Sequence, residues 1–190
     1  MSEAVDSMDR RGFLRFAGSV AALGTGALFA AGCERAGIPA EFAPPADLAL
    51  RVLSPRSYAT FQAAAMRLVG PRGAAAVRAR RIDPAAAADA WVARLPGLGA
   101  TLRQGLWLLE FGVPPLVAKW GPFTALGAGA QDRVLENLME SRWDVKRDLF
   151  KGLKSLAMLA CYAQPAAREL TGYPGPFDRA GIAEAMRYPA

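Results

Sequence analysis

The chain has 190 residues, a formal net charge of +6 and 53% hydrophobic residues, which suits one compact domain. It contains no histidine and two cysteines. Histidine is the usual general base near neutral pH and a common ligand of zinc, copper and haem, so the sequence excludes a histidine triad and the usual centres for these groups. Two cysteines build neither a disulfide framework nor an iron–sulfur cluster. We therefore predict no catalytic residue, metal or cofactor in this chain.

An arginine pair followed by an uncharged stretch gives the N-terminus the order of an export leader. Arg10 and Arg11 come just before Phe13 and Leu14, and residues 16–32 carry no charge. The pair is typical of a twin-arginine signal, and the glycine- and alanine-rich stretch is weakly hydrophobic for a stop-transfer helix. We predict recognition by the twin-arginine translocase and export to the periplasm. The alternative is a helix that stays on the mature protein.

The leader ends in small residues before Cys33. The run from Ala30 to Cys33 resembles the box in which a signal peptidase exposes a cysteine for lipidation, although a large aliphatic residue usually stands at the position of Ala30. Ordinary cleavage nearby is the other interpretation. We predict a twin-arginine signal peptide over residues 1–33, with Cys33 as a candidate lipidation site that would anchor the protein to a membrane.

Two regions follow the predicted leader. Residues 34–51 are expected to form an irregular linker, because Pro44 and Pro45 favour an extended chain. Residues 52–190 are expected to form a helical domain.

Two start signals mark helices within this domain. Ser54 is a helix cap followed by Pro55 at the first helical position, and Asp83 with Pro84 repeats the arrangement. Apolar residues at helical spacing follow these starts and recur along the chain: Tyr58, Phe61, Ala65 and Leu68; Trp91, Val92 and Leu95; Leu102, Leu106 and Leu109; Val134, Leu135, Leu138 and Met139. We predict an all-α fold, a small irregular helical bundle.

Two of the predicted helices carry more specific expectations. The third apolar stretch is expected to end at Gly112, before Pro114 and Pro115. The helix that begins after Trp143 has no charge over residues 156–163, so we expect its far end to be covered on all sides and the helix to lie at the centre of the bundle. A partner groove is the alternative explanation for that apolar end.

We expect structural rather than functional roles for an arginine cluster and for the second cysteine. Arg72, Arg78, Arg80 and Arg81 form a basic patch that we expect to be a solvated face, with docking as the alternative. Cys161 lies in an apolar helical stretch and is expected to be a buried free thiol.

The order of these elements resembles a known family. The twin-arginine leader, the stretch LSPRSYATFQAAAMRLV after the linker and the stretch LKSLAMLACYAQPAARELTGYPGP near the C-terminus are similar to the gluconate 2-dehydrogenase subunit 3 family. The helix start at residues 53–55 and the turn at residues 172–175 carry most of the likeness. Members of that family are small gamma subunits of periplasmic, flavin-dependent sugar and alcohol dehydrogenase complexes.

The resemblance implies a partner and a role. The chain would be a non-catalytic subunit that binds a large flavin-dependent dehydrogenase of the GMC type, assists its folding and carries it through the twin-arginine pathway. FAD is then expected in the partner and not in this chain. Association with a membrane would come through a lipidated Cys33 or through a cytochrome subunit.

Two other functions remain open at this point. One is a stand-alone basic lipoprotein at the membrane surface. The other is an exported enzyme that uses paired carboxylates, for which Asp144 with Asp148 or Glu136 with Glu140 are the candidates, although neighbouring basic residues favour salt-bridged faces. The basic excess of an exported chain suits an acidic protein surface or anionic lipid, so we expect no nucleic-acid partner.

Large aromatic residues in the middle of the chain are candidates for partner contacts. We predict Trp107, Trp120, Phe123 and Trp143 as apolar anchors, with at least two of them at the partner surface. The alternative is that all four belong to the core of the domain.

The arginine pair gives a first testable prediction. Replacing Arg10 and Arg11 with lysines keeps the charge but removes the pair that the export receptor recognises, so we expect the protein to stay in the cytoplasm. Cell fractionation and immunoblotting measure this, with Arg15→Lys as the matched control. Normal export of the double variant would point to another route.

Overall fold

The protein, described by a computed structural model over residues 37–95 and 97–171, is helical and has no strand in these two ranges. Its elements in chain order are α1 (Pro55–Leu68), α2 (Gly70–Arg78), α3 (Pro84–Val92), α4 (Leu98–Trp107), a π-helical turn (Leu108–Gly112), α5 (Val113–Leu116), a 3-10 turn (Phe123–Ala125), α6 (Ala128–Met139), α7 (Asp144–Tyr162) and α8 (Pro165–Thr171). The predicted all-α fold is confirmed. The predicted leader, with Cys33 at its end, and the chain beyond Thr171 lie outside the residues described.

Both predicted helix starts are present. The Ser54 side chain accepts a hydrogen bond from the Ser57 backbone N–H at 3.2 Å, and Asp83 accepts one from the Ala86 N–H at 2.9 Å. A proline follows each cap in the first turn, where a missing N–H costs little. Caps are local devices that join residues three positions apart, so the sequence alone specifies them.

Helix α1, and not α7, lies at the centre of the bundle. All residues from Tyr58 to Met66 are buried, and α2, α3, α4, α6 and α7 pack around them. Small side chains, with Ala63, Ala64 and Ala65 in a row, let neighbouring helices approach from several sides. The expectation that α7 is the central helix is wrong.

The far end of α7 is covered on one side only. Ala157, Ala160 and Cys161 are buried, but Leu159 is 58% exposed and Tyr162 is 40% exposed. The prediction that this end is buried all round is therefore wrong. Helix α7 packs on α1, α3 and α6, and apolar side chains such as Val145 and Leu159 remain at its surface.

The helix expected to end at Gly112 continues beyond it. A π-helical turn follows α4 directly, and the Val113 N–H bonds to the Leu108 carbonyl, five residues back. Pro114 and Pro115 then occupy the first turn of α5, where residues without an N–H are tolerated. The π-helical turn changes the backbone hydrogen bonds from a spacing of four residues to one of five directly before the prolines. The chain therefore stays helical to the end of α5.

The segment before α1 forms turns and bends that pack against the domain, although an extended linker was expected. Phe42 is 5% exposed. Asp89 of α3 is 3% exposed and accepts the backbone N–H groups of Arg51, Val52 and Leu53 at 2.8, 2.9 and 2.7 Å. A buried carboxylate requires such donors, and this one fixes the path of the chain into α1.

The predicted basic patch lies on α2 and just after it. All four of its arginines are exposed: Arg72, Arg78, Arg80 and Arg81. Arg80 donates to the Ala43 carbonyl at 3.3 Å, and Arg81 approaches Glu169 at 3.7 Å. These loose, exposed contacts are typical of a solvated face.

The Asp89 carboxylate gives a stability prediction. In Asp89→Asn an amide donor replaces one accepting oxygen and faces backbone N–H groups, so we expect the free energy of unfolding to fall by about 3 kcal/mol. Urea unfolding followed by circular dichroism measures the change. Asp47→Asn, at an exposed position, is the control and should change stability by less than about 0.5 kcal/mol. Equal effects of the two substitutions would contradict the role of Asp89.

Candidate partner-binding surface

Three of the four predicted anchor residues lie at the surface. Trp107 is 60% exposed, Trp120 86% and Trp143 68%. Phe123 is fully buried, so its assignment to a partner surface is corrected: it belongs to the core. The Phe123 carbonyl accepts a hydrogen bond from the buried side chain of Gln131 at 3.1 Å, which holds the 3-10 turn against the bundle.

The buried carboxylate of Glu110 organises the same region. Glu110 lies in the π-helical turn and is 1% exposed. Its oxygens accept hydrogen bonds from the Thr124 N–H at 3.1 Å, the Thr124 hydroxyl at 2.6 Å and the Thr60 hydroxyl at 3.1 Å. They also bind the Arg56 guanidinium at 3.2 Å. These bonds join α1, the π-helical turn and the 3-10 turn.

A pair of exposed aromatic rings is attached to this anchored region. The Trp107 and Phe111 rings have centroids 6.0 Å apart and planes inclined by 54°. The Arg56 guanidinium, which binds Glu110, lies 5.8 Å from the centre of the Phe111 ring. We call Trp107, Phe111 and Arg56 the Trp107 cluster. The ion pair of Arg56 with the buried Glu110 joins this cluster to the core.

The other two exposed tryptophans also have basic neighbours. The Lys146 ammonium lies 5.1 Å from the centre of the Trp143 ring, and Lys119 directly precedes Trp120 in the chain. With Arg56 in the Trp107 cluster, every exposed tryptophan in the described ranges therefore has a cation close by in space or in sequence. Apolar anchors flanked by cations suit an acidic protein surface.

A second apolar surface lies between α4 and α7. This leucine groove has a volume of about 410 Å³ and is lined mainly by leucine side chains, among them Leu98, Leu102 and Leu106 from α4 and Leu149, Leu156 and Leu159 from α7. Thr101, Asp148 and Ser155 supply polar groups to its lining. Grooves of this size and composition are typical of binding sites.

The leucine groove exists because α4 and α7 both pack on α1 but hardly on each other. The two helices touch where Gly105 meets Leu149: a Cβ atom at Gly105 would lie 2.9 Å from Leu149 Cδ1. Elsewhere the leucine side chains of both helices border the gap.

The candidate carboxylate pairs lie on exposed faces. Asp144 is paired with Arg147, and Asp148 is 3.4 Å from Lys151. Glu136 on α6 and Glu140, which directly follows α6, are exposed to solvent. Within residues 37–95 and 97–171, no cluster of acidic and cysteine side chains is arranged to hold a metal ion, and no helix has the length and apolar character needed to cross a bilayer.

Burial fixes the protonation of two weak acids in the core. Cys161 is 1% exposed, and burial raises the pKa of its thiol to about 12. Burial, followed by the hydrogen bond to Asp83, raises the pKa of the Tyr58 hydroxyl well above its usual value. Both groups stay protonated at neutral pH, so neither is an activated nucleophile or a base.

Comparison with known proteins returned no relative. No family model, no curated protein and no solved structure matches the chain. The resemblance to the subunit 3 family therefore stays an expectation from sequence, and the two apolar surfaces are the structural basis for a proposal.

Sequence reasoning missed the two carboxylates that organise the fold. Asp89 and Glu110 directly follow Ala88 and Leu109, which are both fully buried. An acidic residue next to buried apolar positions of a helix needs buried donors, and this was the signal that could have identified both residues. Leu156 and Leu159 of the leucine groove belong to the apolar end of α7, for which the sequence offered a partner groove as the alternative explanation.

The contrast between Phe123 and Trp120 gives a prediction. Phe123→Ala leaves a cavity in the core, so we expect the free energy of unfolding to fall by about 3–5 kcal/mol. Trp120→Ala removes a ring that is 86% exposed, and we expect a change below about 0.5 kcal/mol. Urea unfolding of both variants measures this. Similar losses in the two variants would contradict the assignment of one ring to the core and the other to the surface.

Proposed function

We propose that this chain is an exported, non-catalytic helical subunit that binds a large flavin-dependent dehydrogenase, assists its folding and carries it through the twin-arginine pathway. The observation that supports partner binding is the exposure of Trp107, Trp120 and Trp143 beside a core that excludes them. Tryptophan is among the residues that contribute most to binding at protein interfaces.

Solvent exposure of these rings is costly for an isolated domain. A tryptophan side chain can bury about 150–250 Å², and apolar burial contributes about 25 cal/mol per Å². Because the three rings are 60–86% exposed, covering each of them can contribute at most about 2–5 kcal/mol to binding. A partner that covers the three rings recovers this free energy. The Trp107 cluster is joined to the core, because Arg56 binds the buried Glu110, which lies in the same turn as Phe111.

Charge supports an acidic partner. The chain has a formal net charge of +6, and Arg56, Lys119 and Lys146 lie beside the exposed aromatic residues. A basic rim around apolar anchors accelerates the encounter with an acidic surface and disfavours basic partners. Periplasmic export comes from the sequence of the leader, and the identity of the partner as a flavoprotein comes from the family resemblance.

The proposed role explains why a non-catalytic subunit would have a twin-arginine signal. A flavoprotein acquires its cofactor before it leaves the cytoplasm, and the twin-arginine route moves folded proteins. A large subunit without its own leader would then cross only when bound to a chain that has one. Such transport requires an interface that is stable before export, with a buried apolar centre and a charged rim.

Co-purification from the native host tests the proposal. We expect the tagged chain to bring down a flavin-containing protein at about one-to-one stoichiometry, and Trp107→Ala combined with Trp143→Ala to leave a folded small subunit but strand the flavoprotein in the cytoplasm. Leu116→Ala, also at an exposed apolar position, is the control for general loss of surface apolar area.

Three results would contradict the proposal. Undiminished binding and export of a co-purifying flavoprotein with the tryptophan variants would contradict the role of these rings as anchors. A flavoprotein that is still exported and active after deletion of the whole chain would contradict the carrier role. Purification of the native chain alone from the membrane fraction would favour the stand-alone lipoprotein.

A further inference from the structure

The chain between α5 and the 3-10 turn presents two large apolar side chains to solvent. Leu116, the last residue of α5, is 61% exposed. Trp120 is 86% exposed, which is the highest value among the large apolar residues in the described part of the chain. We call residues 116–121 the Trp120 turn. The indole ring of Trp120 is therefore displayed at the surface and is not packed against the domain.

This turn is joined to the fold at both of its ends. The Lys119 N–H donates to the Pro114 carbonyl at 2.9 Å, and the Ala118 N–H donates to the Pro115 carbonyl at 3.2 Å. Ala118 has a φ angle of 54°, so these bonds form the Schellman arrangement that closes the C-terminus of a helix. At the other end, Phe123 is fully buried. The exposed ring lies between these two points of attachment.

The chain on both sides of the turn exposes positive charge and no negative charge. Between residues 90 and 131 the only acidic residue is Glu110, which is 1% exposed and bound by Arg56. The basic residues of the same stretch are Arg94, Arg103 and Lys119. Both arginines are exposed, and the lysine is half-buried within the turn itself. An anionic surface would therefore meet no exposed carboxylate from this stretch of the chain.

The surroundings of Trp143 differ in charge. Trp143 is 68% exposed, and the exposed carboxylates of Glu140 and Asp144 lie within three residues of it in the chain. The ammonium group of Lys146 lies 5.1 Å from the centre of the Trp143 ring. Charges of both signs thus surround this ring, whereas only cations neighbour Trp120 in the chain. The two exposed tryptophans are suited to different surfaces.

We propose that the Trp120 turn inserts into the headgroup region of an anionic lipid bilayer. Tryptophan is enriched at membrane–water interfaces because its ring is apolar while its N–H group still reaches a polar partner. Lys119 lies beside the ring in the chain and attracts lipid phosphates, and Leu116 adds apolar area. The inference goes beyond the proposed function, for which Trp107 and Trp143 remain as the two anchors.

A bilayer suits this surface better than a second protein does. A tryptophan ring can bury about 150–250 Å², whereas a standard protein interface buries about 800 Å² on each partner. Two exposed apolar side chains on one turn are small, by themselves, for such an interface. Lipid headgroups have no fixed shape, and shallow insertion of a few apolar side chains is strengthened by each basic residue nearby. Docking on an acidic protein is an outcome that the test distinguishes.

Quenching by brominated lipid tests whether the Trp120 ring enters the bilayer. The full chain is used as Cys33→Ser, so that no acyl group contributes, and residues 1–33 contain no tryptophan. We expect vesicles of equal parts phosphatidylglycerol and brominated phosphatidylcholine to quench the tryptophan fluorescence. Trp120→Phe should lose most of this quenching, and the matched control Trp143→Phe should keep it. Equal quenching in these two variants, or no quenching of the parent chain, would overturn the proposal.

The lipid charge and the lysine are tested with the same readout. Vesicles in which neutral phosphatidylcholine replaces phosphatidylglycerol should quench at least about threefold less. Lys119→Glu should lower the quenching by anionic vesicles to a similar extent, whereas Arg142→Glu, an equal change of charge beside Trp143, should have a smaller effect. Circular dichroism checks that these variants fold. Equal quenching by neutral and anionic vesicles, or equal effects of the two charge variants, would overturn the anionic lipid as the ligand.

Co-purification separates this inference from the proposed function. We expect Trp120→Ala to leave co-purification of the flavoprotein unchanged. A loss as large as that in the double variant of Trp107→Ala and Trp143→Ala would assign Trp120 to the flavoprotein surface and overturn the membrane proposal. Lipid quenching of Trp120 without any co-purifying flavoprotein would support the membrane proposal and contradict the proposed function.

Discussion

The burial of α1 from Tyr58 to Met66 is the constraint on which the rest of the bundle depends. A helix with small side chains on most of its circumference can be approached closely from several sides, and five other helices pack on it. Helices α4 and α7 both pack on α1 but hardly on each other, and the leucine groove lies between them.

Two buried carboxylates hold the irregular parts of the chain to this framework. Asp89 binds three successive backbone N–H groups of the segment before α1, and Glu110 binds the 3-10 turn, α1 and Arg56. Their oxygens are engaged by donors from the fold itself, which explains why these acids can be buried. Through Glu110 the same bonds also fix the orientation of the Trp107 cluster, so the interior of the protein positions one of its exposed aromatic surfaces.

The sequence predicts what depends on neighbouring residues and misses what depends on packing. The caps at Ser54 and Asp83 involve residues three positions away, and both are found. The burial of Phe123 depends on Gln131 and on the fold of the bundle, and the free face of α7 depends on which helices surround α1. An uncharged stretch shows that a helix can be buried, but it does not show how many of its faces have neighbours.

The chain stays helical beyond Gly112 because of contacts that the local sequence does not reveal. Gly112 with two prolines is a valid stop signal, and a change of hydrogen-bond register to five residues, seen at Val113, overrides it. Glu110 lies in this π-helical turn, and its four hydrogen-bond donors come from distant parts of the chain. The tryptophans could be predicted as surface anchors from residue type alone. The leucine groove could not be predicted, because it depends on how α4 and α7 are placed relative to each other.

The burial of the Cys161 thiol has a consequence in the periplasm, the oxidising compartment to which we propose that this protein is exported. With a pKa of about 12 and 1% exposure, the sulfur is almost entirely protonated near pH 7 and shielded from disulfide exchange as long as α7 stays packed on α1. Loss of that packing exposes it and restores an ordinary thiolate fraction. Oxidation of this cysteine would therefore occur in molecules that have unfolded. A mixed disulfide on Cys161 would show that α7 had lost its packing on α1.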